Sequence, residues 1–366
     1  MIPLSTKKTL QIHKERIEND KNNCTLCHHC LEICPASLSD VVNMNEFLFV
    51  LDSKNEPRGP LKRFILNCSQ CGLCSDACPR GNRFDMMVRE LKGRIREKPA
   101  SYIAGTALKK QKLTFSENFQ CKAKYFANKK QLKELMKYLD KIPPRTKILF
   151  YAGEHILLPT SHAQWELVKQ YAPDAQIMGG LKLASGYDFL VQGDIKRASH
   201  QFDVLASALK RVDPKIVIVP SVAAFHAMSE VAYMHHKPFK IMTLTEWIQK
   251  QDIPFGKLPP IAIYHNPMMM KMCGMNLGEL FVKSTRVTDV DKNGNCPTME
   301  YNYDEDNHNL TLRHNIIAQA KENGECLVVD CAYTAEILKQ AVTKENKIRI
   351  YDVASFIKKH VGDSND

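Results

Sequence analysis

Cys24-Thr25-Leu26-Cys27-His28-His29-Cys30-Leu31-Glu32-Ile33-Cys34-Pro35 is matched, residue type for residue type at the cysteines, by Cys68-Ser69-Gln70-Cys71-Gly72-Leu73-Cys74-Ser75-Asp76-Ala77-Cys78-Pro79. Both runs have the bacterial spacing that holds a [4Fe–4S] cluster. Three thiolates set two residues apart let a tight loop wrap one face of an iron–sulfur cubane. The fourth follows after a longer step, is followed by proline, and sits too far round to reach the same cluster. In two-cluster proteins it ligates the other one. The spacing therefore assigns Cys24, Cys27, Cys30 and Cys78 to one cluster, and Cys34, Cys68, Cys71 and Cys74 to a second. As a disulfide framework the doubled pattern is poor. Structural zinc takes four cysteines, but as CxxC pairs, which leaves the third cysteine and the Cys-Pro step without a role.

The segments around these runs read as helices. Leu10–Asn19 sets Ile12 and Ile17 among charged residues. From Pro35 a helical pattern continues through Asn45–Leu51, where Phe47, Leu48, Val50 and Leu51 share an apolar face. Asn55, Pro57, Gly59 and Pro60 break the chain. Leu61–Leu66 leads helically into the second run, and Phe84–Ile95 is amphipathic through Met87, Val88 and Leu91. No alternating strands flank the cysteines, and 33 residues separate Cys34 from Cys68. An α-helical two-cluster ferredoxin-like domain over residues 1–99 is expected.

Residues 100–146 form a basic linker with a helix expected over Gln131–Lys141, ended by Pro143-Pro144. The net charge of +11 concentrates here: Leu91–Lys147 carries 16 Lys and Arg against Glu97, Glu117, Glu134 and Asp140. A solvated face is the plain reading. Docking to an acidic partner subunit, or to anionic lipid heads at the inner face of a membrane, is the sharper one. Tyr102, Phe115, Phe119, Tyr125 and Phe126 interleave with the lysines, but no nucleic-acid-binding motif accompanies them, so nucleic acid is not an expected partner.

Beyond this point apolar strands alternate with helices, the signature of parallel sheet covered on both faces. Strands are expected at Lys147–Tyr151, Gln176–Met178 and Ile216–Pro220, with helices at Ser161–Tyr171, Ile195–Lys210 and Ala223–Tyr233. The order then restarts: strands Ile261–His265, Val287–Val290 and Cys326–Asp330, a Met-rich helix start after the first, and helices Thr311–Asn323 and Tyr333–Lys344, with Ile348–Ser355 closing the repeat. The whole reads as a pseudo-duplicated α/β domain, one repeat over 147–250 and the other over 251–366.

A helical two-cluster domain followed by two such repeats resembles iron–sulfur oxidoreductase subunits of the heterodisulfide reductase type: its D subunit, or fused C and B subunits. The iron–sulfur subunits of anaerobic glycerol-3-phosphate dehydrogenase and of glycolate oxidase share the arrangement. The resemblance covers about Lys21 to Ser355. In that family each repeat carries a Cys after its first strand, a central Cys-Cys-Gly, and a Cys-x-x-Cys after its third strand, which together bind the cluster that cleaves a substrate disulfide. In the first repeat Gly153-Glu154, Met178-Gly179-Gly180, Ser221 and Ala224 stand at those places, and Gln192-Gly193-Asp194 resembles the family's Gly-Asp step. In the second, Tyr264-His265-Asn266-Pro267-Met268 resembles the family's His-Asp-Pro-Cys, with Met268 at the ligand position. Asn295-Cys296-Pro297 stands for Cys-Cys-Gly, Cys331-Ala332-Tyr333-Thr334 for Cys-x-x-Cys, and Cys273 lies nearby. Three thiols are a poor offer to a cubane, so Cys273, Cys296 and Cys331 read first as buried thiols of a repurposed domain.

The resemblance implies an iron–sulfur electron-transfer subunit that relays electrons through two [4Fe–4S] clusters, with flavin- or iron–sulfur-containing subunits as partners. Two alternatives stay open. One is a catalytic disulfide or sulfur-compound reductase keeping a residual cluster in the second repeat; the other is a structural or redox-sensing subunit. Remaining features are quieter. His28 and His29 lie inside the first loop, where they face solvent or hydrogen-bond cluster sulfur. Met268–Met270 and Met272 suit helix packing or, less well, a soft copper site. No G-x-G-x-x-G follows a strand and no phosphate-binding loop is present, so no nucleotide site is expected. Thirteen cysteines, the lack of an 18-residue apolar run and an N-terminus with no apolar signal core point to a reducing, cytoplasmic setting.

Overall fold

The computed structural model describes residues 4–34, 42–97 apart from 54, 69 and 71, 129–265 apart from 192, 236–238 and 252, 276–290 and 308–360. The chain divides into two compact units. One holds the described residues up to Glu97 together with Gly186–Asp203; the other holds most of the described residues from Lys129 onward.

Up to Glu97 the described elements are helices: α1 (Leu4–Asn22), α2 (His29–Glu32), α3 (Met44–Ser53), α4 (Gly59–Asn67), α5 (Leu73–Asp76) and α6 (Phe84–Glu97). The apolar spacing of α3 buries Met44, Phe47, Val50 and Leu51, while its neighbour Phe49 is 64% exposed. Its start is capped by the Asn43 side chain, which accepts from the backbone N–H of Asn45 and Glu46. Proline in the first turn of α4 suits a helix start, where its missing N–H costs nothing. Phe47, Phe64 and Phe84 form the aromatic centre of the unit, with ring centroids 4.8 and 6.4 Å apart. Arg94 of α6 donates to the carbonyls of Val50 and Leu51, closing the C-terminal end of α3. The helical continuation expected from Pro35 falls on 35–41, outside the described residues; α3 itself begins at Met44.

A helix α7 (Lys129–Met136) precedes the α/β unit, shorter than the expected Gln131–Lys141 at its C-terminal end. In chain order β1 (Ile148–Gly153), α8 (Pro159–Tyr171), β2 (Gln176–Gly179), α9 (Tyr187–Val191), α10 (Ile195–Val212), β3 (Ile216–Val219), α11 (Val222–His235), β4 (Lys240–Thr243) and α12 (Leu244–Gln249) follow; α9 and the N-terminal half of α10 fall in the first unit, the others in the α/β unit. Next come β5 (Ile261–Tyr264), β6 (Val287–Asp289), α13 (His308–Asn323), β7 (Cys326–Val329), α14 (Ala332–Gln340), β8 (Arg349–Asp352) and α15 (Val353–His360). All strand pairs are parallel. The two sheets have the same order, β2-β1-β3-β4 and β6-β5-β7-β8. Each central strand is a short apolar run buried on both faces, as βαβ crossovers require. One apolar core, from Phe150 and Trp165 to Phe281 and Phe356, joins the two halves, and Gln164 of α8 donates to Asp352 at the end of β8.

Two differences from the sequence reading have local causes. Ile348–Ser355, expected to close the second repeat, is two elements: β8 ends at Asp352, whose carboxylate accepts from the backbone N–H of Ala354 and Ser355 and so starts α15. A fourth strand and helix, β4 and α12, also close the first repeat. Thr243 caps α12 by accepting from the Glu246 N–H at 3.1 Å, a signal hidden among charged residues.

Gly179 shows how tightly the first sheet is packed. A Cβ there would lie 2.6 Å from the Gly153 carbonyl oxygen and 3.0 Å from the Ile156 side chain. The contact is with backbone, which does not yield easily. Gly179→Ala is expected to destabilise the α/β unit by about 1–3 kcal/mol. Denaturant unfolding would read this, with iron content unchanged because the cysteine loops belong to the other unit.

Candidate metal centre

Two loops of the first unit carry the cysteines, and their backbones make the same turns. Leu26 and His28, two and four residues after Cys24, have φ of 57° and 66°. Gln70 and Gly72, at the same offsets from Cys68, have φ of 59° and 76°. Three of these four are not glycine, so each stores backbone strain of about 1–3 kcal/mol. In the second loop the Gln70 N–H turns toward Cys68 Sγ at 3.4 Å, the kind of backbone contact that suits anionic sulfur. Each loop then enters a one-turn helix, α2 or α5, and these two helices pack together.

Cys24, Cys27, Cys30 and Cys78 line one cavity, with Leu26, His28, Met44, Arg80, Asn82 and Phe84 among the other lining residues. Three thiols come from the first run and one from the second. The crossing is built by α1. Beyond its end, Asn23 donates to the Arg80 carbonyl at 3.4 Å and to the Asn82 side chain at 3.1 Å. Arg16 donates to the Gly81 carbonyl at 2.8 Å, and Asp20 accepts from the Arg83 N–H at 2.9 Å. The turn after Cys78 is thereby latched beside Cys24. Burial pushes the Cys30 thiol up to about 12, and the neighbouring Cys24, Cys27 and Cys78 push the same way. Thiols that oppose each other's ionisation are a donor set for a cation-bearing group, which reverses that repulsion. Cys27 is at the solvent edge, where the backbone N–H of His29 holds its thiol below the ordinary range. The His29 ring, which contacts the Cys27 carbonyl, is raised in turn.

The other set is drier. Cys34, Cys68 and Cys74 are each 9% exposed or less and belong to the apolar core of the unit. Cys71 lies outside the described residues. Gln70 donates to Cys68 Sγ twice, from its backbone N–H at 3.4 Å and from Nε2 at 3.3 Å. Its Oε1 accepts from Arg89 Nε at 2.9 Å, and Lys92 Nζ donates to the Cys68 carbonyl at 2.6 Å. Arg89 is 1% exposed and Lys92 fully buried. Asp85 accepts from Arg83 through both oxygens at 2.9 Å, from Arg89 at 3.3 Å, and from the Ser75 hydroxyl next to Cys74. Burial alone pushes the Asp85 carboxyl up, but Arg83 and then Arg89 together hold it well below the usual carboxylate range.

This buried network was not foreseen from sequence. Phe84–Ile95 reads as an amphipathic helix, and Asp85 and Arg89, four residues apart, look like an ordinary surface pair. The structure also changes the reading of the basic strip. Lys92 is buried with its Nζ on the Cys68 carbonyl, and Arg94 donates to the Val50 and Leu51 carbonyls of α3. Residues 98–128, most of the strip, lie outside the described residues.

In the α/β unit the places expected for cluster ligands are occupied otherwise. Glu154 accepts from the Ser185 N–H at 2.7 Å and its hydroxyl at 2.6 Å. Ser221 Oγ accepts from the Ala224 N–H, opening α11. Cys331 is 1% exposed at the start of α14, and burial pushes its thiol up. Cys326, not singled out from sequence, is likewise buried, its thiol pushed up to about 11 by burial. His265 lies between Asp289, at 3.6 Å, and Asp330, at 3.9 Å. Met268, Cys273 and Cys296, with Met270 and Met272, lie outside the described residues.

Residues 23–82 match the 4Fe-4S dicluster domain family. The chain therefore carries a ferredoxin-type iron–sulfur domain. No curated protein matches the chain. Two solved structures are similar over 59% of this chain and 96% of their own. A proposed Asp/Glu racemase from Yersinia pestis is 13% identical with a TM-score of 0.30, and an aspartate racemase homologue from Pyrococcus horikoshii OT3 is 12% identical with a TM-score of 0.27. Likeness at that level carries neither fold nor activity to this chain. Among the described residues, no helix is long and apolar enough to cross a membrane.

Proposed function

We propose that this protein is an iron–sulfur electron-transfer subunit of a heterodisulfide reductase-like oxidoreductase complex, with two [4Fe–4S] clusters. Cys24, Cys27, Cys30 and Cys78 would hold one; Cys34, Cys68, Cys71 and Cys74 would hold the other. The observation that carries the reading is the cavity walled by three thiols of the first run and the last thiol of the second. A bound [4Fe–4S] cluster supplies one-electron redox chemistry. The chain's own part is to hold the thiolates, aim backbone N–H groups at them, and bury Cys34, Cys68 and Cys74 in the apolar core that Phe47, Phe64 and Phe84 share.

Flavin- or iron–sulfur-containing subunits are the partners this reading calls for, with the basic segment a docking strip for an acidic partner or an anionic lipid surface. A cytoplasmic site belongs to the same proposal. The reductase alternative would need a residual cluster or a reactive thiol in the second repeat, where Cys331 is buried at the start of α14.

Iron and acid-labile sulfide per chain, with EPR of the reduced protein after anaerobic purification, test the reading. About eight irons are expected from two cubanes, with two interacting signals. About twelve would place a third cluster in the second repeat and favour the reductase. Zinc with little iron would refute the proposal.

A further inference from the structure

Glu134, one of four acids in the basic strip Leu91–Lys147, meets a histidine of the α/β unit. His162 Nε2 lies 3.3 Å from Glu134 Oε2 of α7. Its Nδ1 lies 3.3 Å from Glu166 Oε2, four residues further along α8. That step puts His162 and Glu166 on one face of the helix, and α7 packs on α8 to bring Glu134 beside them. His162 is buried, while the side chains of Glu134 and Glu166 are 37% and 38% exposed.

A neutral imidazole has one N–H and one lone pair. It can donate to only one of these carboxylates, so the other meets a lone pair. The two carboxylates bring two negative charges, and Lys358 of α15, which ion-pairs with Glu166, returns one. One negative charge is left around a buried ring, where charge needs a partner. A cation completes the group. One ligand atom from each of Glu134, His162 and Glu166 can be chosen so that all three lie within 4.8 Å of one another. With metal–ligand bonds of about 2.1 Å, the donor atoms of a tetrahedral site are about 3.4 Å apart. Rotation of the two partly exposed glutamates covers the difference, and their solvent side gives the ion an entry path. One imidazole and two carboxylates suit a divalent first-row ion such as Mn²⁺ or Zn²⁺. Lys358 meets the same Glu166 oxygen that faces His162 Nδ1, so a cation is already held there, and it competes with metal.

We propose that Glu134, His162 and Glu166 form a divalent metal site that staples α7 to α8 at the head of the α/β unit, with Lys358 as its built-in competitor. Water completes the coordination from the solvent side. The site shares no residue with the cysteine loops, so its test is separate from that of the two-cluster reading.

The test is a titration of the anaerobically purified full-length chain with Mn²⁺, read as loss of the free-ion EPR signal. Mn²⁺ is the probe because thiolates favour softer ions. One bound ion per chain is expected. Glu134→Gln and Glu166→Gln change partly exposed positions, where the fold is not at risk, and are expected to weaken binding about tenfold or more. Lys358→Met is expected to tighten it. Both tryptophans, Trp165 and Trp247, belong to the core of the α/β unit, so their emission during denaturant unfolding reads that unit. Mn²⁺ is expected to raise the midpoint of the wild type and of Lys358→Met, but not of Glu166→Gln. No Mn²⁺ bound by the wild type and Lys358→Met, or equal affinity in all four proteins, overturns the inference. So does a midpoint indifferent to Mn²⁺ that falls as pH rises in the wild type but not in His162→Gln, because the cation held would then be a proton only.

Discussion

Replacing Cys78 with serine is expected to cost the protein about four of its irons and one of its two reduced EPR signals. The lost signal should be the one that Cys24→Ser or Cys30→Ser removes, although Cys78 lies more than 40 residues further along the chain. Double replacement of Cys30 and Cys78 should lose no more iron than either alone, because residues that act on one site are not additive. Cys34→Ser should instead remove the other signal, since Cys34 is buried in the apolar core with Cys68 and Cys74. A within-run arrangement, with Cys78 serving Cys68, Cys71 and Cys74, would give the opposite grouping. Loss of a cluster should also loosen the unit. The left-handed turns at Leu26, His28 and Gln70 store strain that bound metal would offset, and metal binding of this kind is coupled to folding. Chelation of iron should therefore lower the unfolding midpoint of the first unit and leave the α/β unit close to unchanged.

Asp85→Asn is expected to be the most destabilising single change outside the cysteines. Asp85 is 1% exposed and joins Arg83, Arg89 and Ser75. Neutralising it leaves Arg89, which cannot lose its proton, buried without its counter-charge. Removing one partner of such a buried pair costs about 3–5 kcal/mol. Denaturant unfolding with the clusters in place would read the loss. Because the folded-state carboxyl is held below its unfolded value, its contribution is fully present above the ordinary carboxylate pKa of about 3.9. It is lost as pH falls through the folded value. The wild-type unit should weaken in acid below about pH 4, and Asp85→Asn should flatten that limb. An unchanged acid limb in the variant would mean that Asp85 is not the group responsible.

How far the fold could be read from the chain depends on the range of the interaction concerned. Short apolar runs such as Ile216–Val219 and Cys326–Val329 gave the strands, because a parallel strand buried on both faces has no polar residues to spare. Lys240–Thr243 escaped notice because it is an edge strand, with an exposed lysine and half-buried isoleucine at its start. The sheet order was not legible in any single element, because it is set by which strands pair.

The cysteine chemistry was legible by itself. Ligand spacing is a local property, and three thiols two residues apart can reach one face of a small cluster whatever surrounds them. Only the tertiary structure decided how the two loops differ. Gln70, Asp85, Arg89 and Lys92 look in sequence like solvated polar residues, and nothing in their spacing says otherwise. They become a network because the packing of α6 against α1, α3, α4 and α5 takes them out of water, where a polar group must find a partner within the protein.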